Sequence, residues 1–174
     1  MATKTKLHPR NLHSEGYDFA RLMAQTPELE AFTISNPLGQ PTIDFQDVAA
    51  VRMLNRALLK THYNIEFWDI PAGYLCPPIP GRVDYIHYLA DLLAESNNHQ
   101  IPRGRQIKAL DIGTGASLVY PLTGQSEYGW HFTGVDIVRS EQPDQAVLVG
   151  IAAGLVARSA DRIAAMMSAS SALR

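Results

Sequence analysis

Residues 107–117 read IKALDIGTGAS, and the reading of this stretch decides the fold. Ile107, Ala109, Leu110 and Ile112 make a short apolar run, the pattern of a strand buried on both faces of a parallel sheet. Asp111 stands at the end of that run, and the turn after it carries Gly113 and Gly115. Glycine there lets the backbone take positive φ and leaves no Cβ between a ligand and the amides. Ser117 is placed to cap a following helix, whose N-terminus then faces the ligand. Further on, HFTGVD (residues 131–136) reads as a second strand ending in Asp136. A carboxylate at that point accepts hydrogen bonds from the paired hydroxyls of a nucleoside ribose.

A two-glycine turn is also an ordinary junction between strand and helix in α/β proteins. The third glycine of a dinucleotide loop is lacking, so the pattern with its distal acid fits S-adenosylmethionine better than NAD. The rest of the composition sets bounds. A chain of 174 residues supports one domain with a real core, and 46% apolar with 18% charged residues is the balance of a globular protein. The net charge of −2 does not mark the whole chain as a nucleic-acid binder, although it leaves room for a local basic patch. Cys76 is the single cysteine, which excludes an internal disulfide and a cysteine-rich metal site. No apolar run has the length of a signal peptide or a membrane span, so the expectation is a cytoplasmic monomer without membrane or metal partners.

Around the central stretch the chain divides as follows. Residues 1–13 hold Lys4, Lys6, Arg10, His8 and His13 with no acid, which reads either as a phosphate-binding arm or as a solvated terminus. Helical spacing covers residues 17–25, a proline-led turn opens at 26–29, and two short strands flank the Asn36–Gly39 turn. Asp47 caps a helix to about Tyr63 with Val48, Val51, Leu54, Leu58 and His62 as its stripe and Arg52, Arg56 and Lys60 opposite. Residues 64–82 carry Pro71, Pro77, Pro78 and Pro80, which predict an extended, partly packed connector. A helix is expected from Arg82 to about Glu95 with Val83, Ile86, Leu89, Leu92 and Leu93 inward and Tyr85 and His87 outward. Tyr120-Pro121-Leu122 is expected to break the helix after the glycine loop.

Five segments carry a family resemblance: LHPRN (7–11), GQPTIDF (39–45), RALL (56–59), WDIPAGYLCPPIPGRVDYIHYLADLL (68–93) and LDIGTGASLVYPLTGQSEYGWHFTGVDI (110–137). Over roughly residues 6–137 the chain closely resembles the bacterial large-subunit ribosomal RNA adenine-N6-methyltransferases, the methyltransferase F family. The resemblance implies a Rossmann-like class I S-adenosylmethionine-dependent methyltransferase fold (α/β, incomplete), preceded by an α-rich RNA-binding module. It implies methylation of an adenine N6 in 23S ribosomal RNA. Gly113, Thr114, Gly115 and Ser117 would hold the methionine end of the cofactor beside Asp111. Asp136 would bind the ribose, and Arg82 would stand near cofactor and RNA. Lys4, Lys6, Arg10, Arg52 and Arg56 would grip the RNA.

The resemblance also implies an Asn-Pro-Pro-Phe segment that accepts hydrogen bonds from the adenine amine and stacks on the base. The sequence contains no such string, so it yields no catalytic residue. After Ile137 the chain turns rich in Ala, Ser and Arg, with helical spacing over residues 146–167 and no evident third strand. The expected divisions are therefore an RNA-binding module and connector (1–81), the start of a cofactor domain (82–138) and a divergent tail (139–174). That abrupt change predicts a frameshift or premature stop and an impaired enzyme. A non-catalytic RNA-binding module and a gene relic are the alternatives.

Overall fold

The computed structural model describes residues 7–71, 73–136 and 151–152. A helix α1 (Phe19–Gln25) is capped by the Asp18 carboxylate, which accepts from the Arg21 amide. A 3-10 turn (Pro27–Phe32) follows, with proline in its first turn where no amide is needed. Strands β1 (Thr33–Ser35) and β2 (Pro41–Ile43) form an antiparallel hairpin. Helix α2 (Val48–Tyr63) starts at the predicted cap, Asp47, and stops at Asn64 in the left-handed region. Its buried stripe differs in detail from the predicted one: Leu54 and Leu58 are joined by Leu59 and Ala57, while Val48 is exposed.

Two local expectations fail at prolines. Helix α3 (Ile79–Glu95) begins three residues before Arg82, with Pro78 as cap and Pro80 inside the first turn. Helix α4 (Val119–Tyr128) runs straight through Pro121, its third residue. Both prolines occupy first-turn positions, whose amides have no partner within the helix, so neither ring removes a bond. His87, off the apolar stripe and expected at the helix surface or in a domain contact, is wholly buried on α3.

Strands β3 (Lys108–Ile112) and β4 (His131–Val135) pair in parallel, with Ile112 opposite Val135, and α4 is the crossover between them. A two-residue strand β5 (Ile151–Ala152) pairs antiparallel with β4 at Gly134 and Thr133. The tail thus supplies a third strand, at a point where helix was expected; the rest of the predicted 146–167 helix lies outside the described residues. The sheet is also covered differently from the expectation. Leu110 and Ile112 are 62% and 78% exposed, and on the other face Ala109 and Asp111 are half-buried, so β3 is covered on one face at most. Among the described residues, α3 and α4 cover only the face that carries Ala109, Phe132 and Gly134.

One apolar cluster joins Leu22, Leu29, Leu54, Leu58 and Trp68 to Ile79, Val83, Val119 and Leu122. The boundary expected at 81/82 therefore falls inside α3, and a single core crosses it. A second cluster packs Ile86, Ala90, Tyr128, Trp130 and Phe132 between α3 and the sheet. Gly124 of α4 packs closely against it: an added Cβ would lie 2.5 Å from Cζ of buried Phe132. Gly124→Ala is expected to cost about 1–3 kcal/mol by overpacking, read as a lower denaturation midpoint.

Candidate functional site

Because β3 and β4 run parallel and in register, their carboxyl ends deliver Gly113 and Asp136 side by side. The amides of Gly113 and Thr114 both donate to the carbonyl of Val135, at 2.7 and 3.1 Å, which folds the glycine loop back over the strand ends. Gly113 and Gly115 have φ of 76° and 66°, so the turn requires what the sequence offers. The Asp136 carboxylate accepts a hydrogen bond from the Gly115 amide. Thr114 is buried against Gly134, where a Cβ would come within 3.0 Å of Thr114 Cγ2.

The helix start differs from the expectation. Ser117 is buried but caps nothing; the cap position is Leu118, in the left-handed region and without a side-chain hydrogen bond. Ser117 serves instead through its carbonyl, which accepts from the indole Nε1 of buried Trp68 at 2.8 Å. Asp111 lies near the end of β3, opposite Gly134. Its Oδ2 and the Thr114 hydroxyl are buried with no hydrogen-bond partner among the described residues. Arg82 reaches this end of the fold through α4. Its Nη1 donates to the Tyr120 hydroxyl at 2.9 Å, and its guanidinium lies 5.7 Å from the Tyr120 ring centre. Trp68, one of the connector side chains (Phe67, Trp68, Ile70, Tyr74 and Leu75) that the sequence marks as packing, is buried as expected, whereas its bond to the loop and the roles of Tyr120 and Gly134 beside the site have no local sequence signal.

The residues expected to grip RNA divide differently. Lys4 and Lys6 lie outside the described residues. Arg10 is a fastener rather than a solvated cation: it donates to the His87 carbonyl (2.9 Å), to Asp91 (2.6 Å) and to the Tyr128 hydroxyl (3.1 Å). His8 and Asn11 join it, bonding Asp91 and Asp84 on α3. These His8 and Arg10 bonds hold the Asp91 carboxyl below its ordinary range. The arm is thus an ordered strap, because its polar side chains find hydrogen-bond partners on α3 and α4. On α2, Arg52 pairs with Asp69 at 3.5 Å and Arg56 lies 5.9 Å from the Phe67 ring centre, so both lean on the connector.

Burial pushes the imidazoles of His13 and His87 down to about 4, helped by His62 for the first and by His8 and Arg10 for the second. Each binds its proton more tightly in the unfolded chain, at the ordinary 6.5. Their contribution to stability is therefore whole above that value and falls as the pH drops towards 4. Denaturant melts should lose on the order of 1 kcal/mol per histidine between pH 7 and 5.5, and His87→Asn should remove its share of that loss.

Among the described residues, no group of His, Cys, Asp and Glu is placed to hold a metal ion, and no helix is long and apolar enough to cross a membrane.

A glycine loop over the ends of two parallel strands, with an acid after the second and a crossover helix behind, defines part of a class I methyltransferase fold. The chain belongs to an RNA methyltransferase family, whose model matches residues 1–155. A relative named ribosomal RNA large subunit methyltransferase F, from Pseudoalteromonas translucida, is 67% identical over 135 residues, covering 78% of this chain and 44% of its own. Among solved structures, the N-terminal domain of human METTL16 in complex with SAH is 33% identical with a TM-score of 0.66, over 76% of this chain and 50% of that one. The METTL16 catalytic domain in complex with a MAT2A 3'UTR hairpin is 34% identical with a TM-score of 0.64, over 76% of this chain and 45% of that one. The chain spans less than half the length of the curated relatives it matches.

Proposed function

We propose that this chain carries the cofactor-binding side of an enzyme that methylates adenine N6 in 23S ribosomal RNA with S-adenosylmethionine. One observation carries the reading: the glycine loop and Asp136 are locked together at the carboxyl ends of β3 and β4. Family membership, the names of the bacterial relatives and the SAH complex of the METTL16 domain support it. The residues fit the group. Among the described residues, nothing lies within 4 Å of where a Gly113 Cβ would stand, and two buried polar atoms, Asp111 Oδ2 and Thr114 Oγ1, have no hydrogen-bond partner. A bound ligand with its own donors and acceptors would satisfy them.

The cofactor, when bound, supplies a methyl group on a positively charged sulfur. Asp136 would accept from the ribose hydroxyls while bracing the loop. The loop of Gly113, Thr114, Gly115 and Ser117, with Asp111 beneath it, would hold the methionine end. Arg82, steadied by Tyr120, would meet a phosphate or the cofactor carboxylate. Lys4, Lys6, Arg52 and Arg56 would meet RNA phosphates, with Arg10 anchoring the strap to α3. A monomer in the cytoplasm suits this role.

The alternative reading is a module that binds cofactor and RNA without turnover. Titration with S-adenosylhomocysteine, followed by a methyl-transfer assay on 23S ribosomal RNA, separates the two. Saturable binding with transfer supports the first reading, and binding without transfer supports the second. No binding of the nucleoside at all would overturn both.

A further inference from the structure

Helix α3 buries Ile79, Val83, Ile86, His87, Ala90 and Ala94, yet its opposite side is aromatic as well. Tyr85 and Tyr88 are both 56% exposed there, and Leu92, one turn on, is 60% exposed. Rings of that size are left in water at the cost of the area they fail to bury, so a shared face of them marks a contact surface.

Two features indicate what the surface meets. It is continuous with the candidate site: the Tyr85 ring lies 5.2 Å from that of Tyr120, which carries Arg82 on its hydroxyl and its face. At the other end Tyr88 stands edge-on to His8 of the strap, at 4.9 Å. The strip thus runs from the glycine-loop end of the fold to the strap. Of the acids beside it on α3, Asp91 is paired with Arg10 and His8 and Asp84 accepts from the His8 and Asn11 amides, while Arg82 heads the strip as a cation.

We infer that Tyr85 and Tyr88 form a stacking strip for the bases of single-stranded RNA, leading from the strap to the cofactor loop. The inference rests on the RNA-methylation reading and deepens it. Residues three apart on a helix rise about 4.5 Å along it, somewhat more than the roughly 3.4 Å between nucleotides of a stacked strand. Adjacent bases, slightly opened, can each find a ring. Tyrosine suits this, since every base has a π-face and stacking needs no sequence match. A duplex, whose bases already stack on each other, offers the strip nothing.

The test uses the whole chain and two labelled probes, an oligoadenylate of about 12 nucleotides and an RNA duplex of the same length. Anisotropy is read over a range of salt, and S-adenosylhomocysteine affinity is measured in parallel. The double variant Tyr85→Ala/Tyr88→Ala should bind the single strand at least about 10-fold more weakly. The salt slope should not change, because no phosphate contact is removed. Duplex and nucleoside affinities should stay within about 2-fold of the parent, and Tyr85→Phe/Tyr88→Phe should keep single-strand affinity.

Unchanged single-strand binding in the alanine variant overturns the inference, as does an equal loss on the duplex or a phenylalanine variant that falls as far. A parent that binds the nucleoside but not the single strand sinks the strip and leaves the cofactor reading standing. A parent that binds the single strand through these tyrosines but not the nucleoside does the reverse. Tyrosine-dependent self-association on size exclusion, without RNA binding, assigns the face to a second copy of the chain and also overturns the inference.

Discussion

Trp68→Ala is expected to cost about 3–5 kcal/mol of folding free energy, among the largest effects of any single truncation in the described residues. Trp68 is buried in the cluster that joins α2, the connector, α3 and α4, so its removal leaves a cavity where four elements meet. It also bears on the site, because the indole N–H is the donor to the buried Ser117 carbonyl. Without that bond the carbonyl is left unpaired inside the protein, which by itself costs about 1–3 kcal/mol. Trp68→Phe isolates the second effect: it keeps most of the volume and loses the donor. Denaturant unfolding should rank the parent above the phenylalanine variant and the phenylalanine variant above alanine. Nucleoside affinity should fall in Trp68→Phe as well, since the loop is then free to move. A phenylalanine variant as stable as the parent would mean that the bond does not tie connector to loop.

Much of this was legible in the sequence, for identifiable reasons. The Asp47 cap, the length of α2, the β1–β2 hairpin and the strand–loop–helix–strand run from 107 to 136 rest on local signals, and local signals survive folding. What was misread depends on partners far along the chain. His87 looked like surface because its helical position is off the apolar stripe. It is buried because Tyr128, forty-one residues away, meets its Nδ1 at 2.7 Å, with Arg10 on the same hydroxyl. Nor does any local pattern announce that Arg10 bonds Asp91, eighty-one residues away. Pro80 and Pro121 read as breakers if the helix start lies a few residues away, and a proline's meaning reverses over that distance. The apolar run of β3 predicts cover on both sides, although only one covering layer belongs to the described residues. For the loop, sequence supplied the chemistry and structure supplied the geometry: which oxygen is orphaned, and which amide the acid holds.

That geometry makes Asp136→Ala the second large effect. Hydrogen bonds to a charged group contribute about 1.5–3 kcal/mol each, so loss of the ribose contact alone should weaken S-adenosylhomocysteine binding on the order of 10- to 100-fold. The acid does two things at once, since its carboxylate also accepts from the Gly115 amide. A carboxylate has about four acceptor sites, so the loop amide and hydroxyl donors are compatible on one group. Alanine removes both functions. Asn keeps one side-chain acceptor oxygen for the amide but loses the charge, so Asp136→Asn should hold the loop better than alanine while binding nucleoside more weakly than the parent. Calorimetric titration of the three proteins, with a melt of each to show that they are folded, checks the order. An alanine variant that binds within about 2-fold of the parent would remove Asp136 from the cofactor site. The shared end of β3 and β4 would then be a loop closed by its own acid, with Asp111 and Thr114 buried beneath it for another reason.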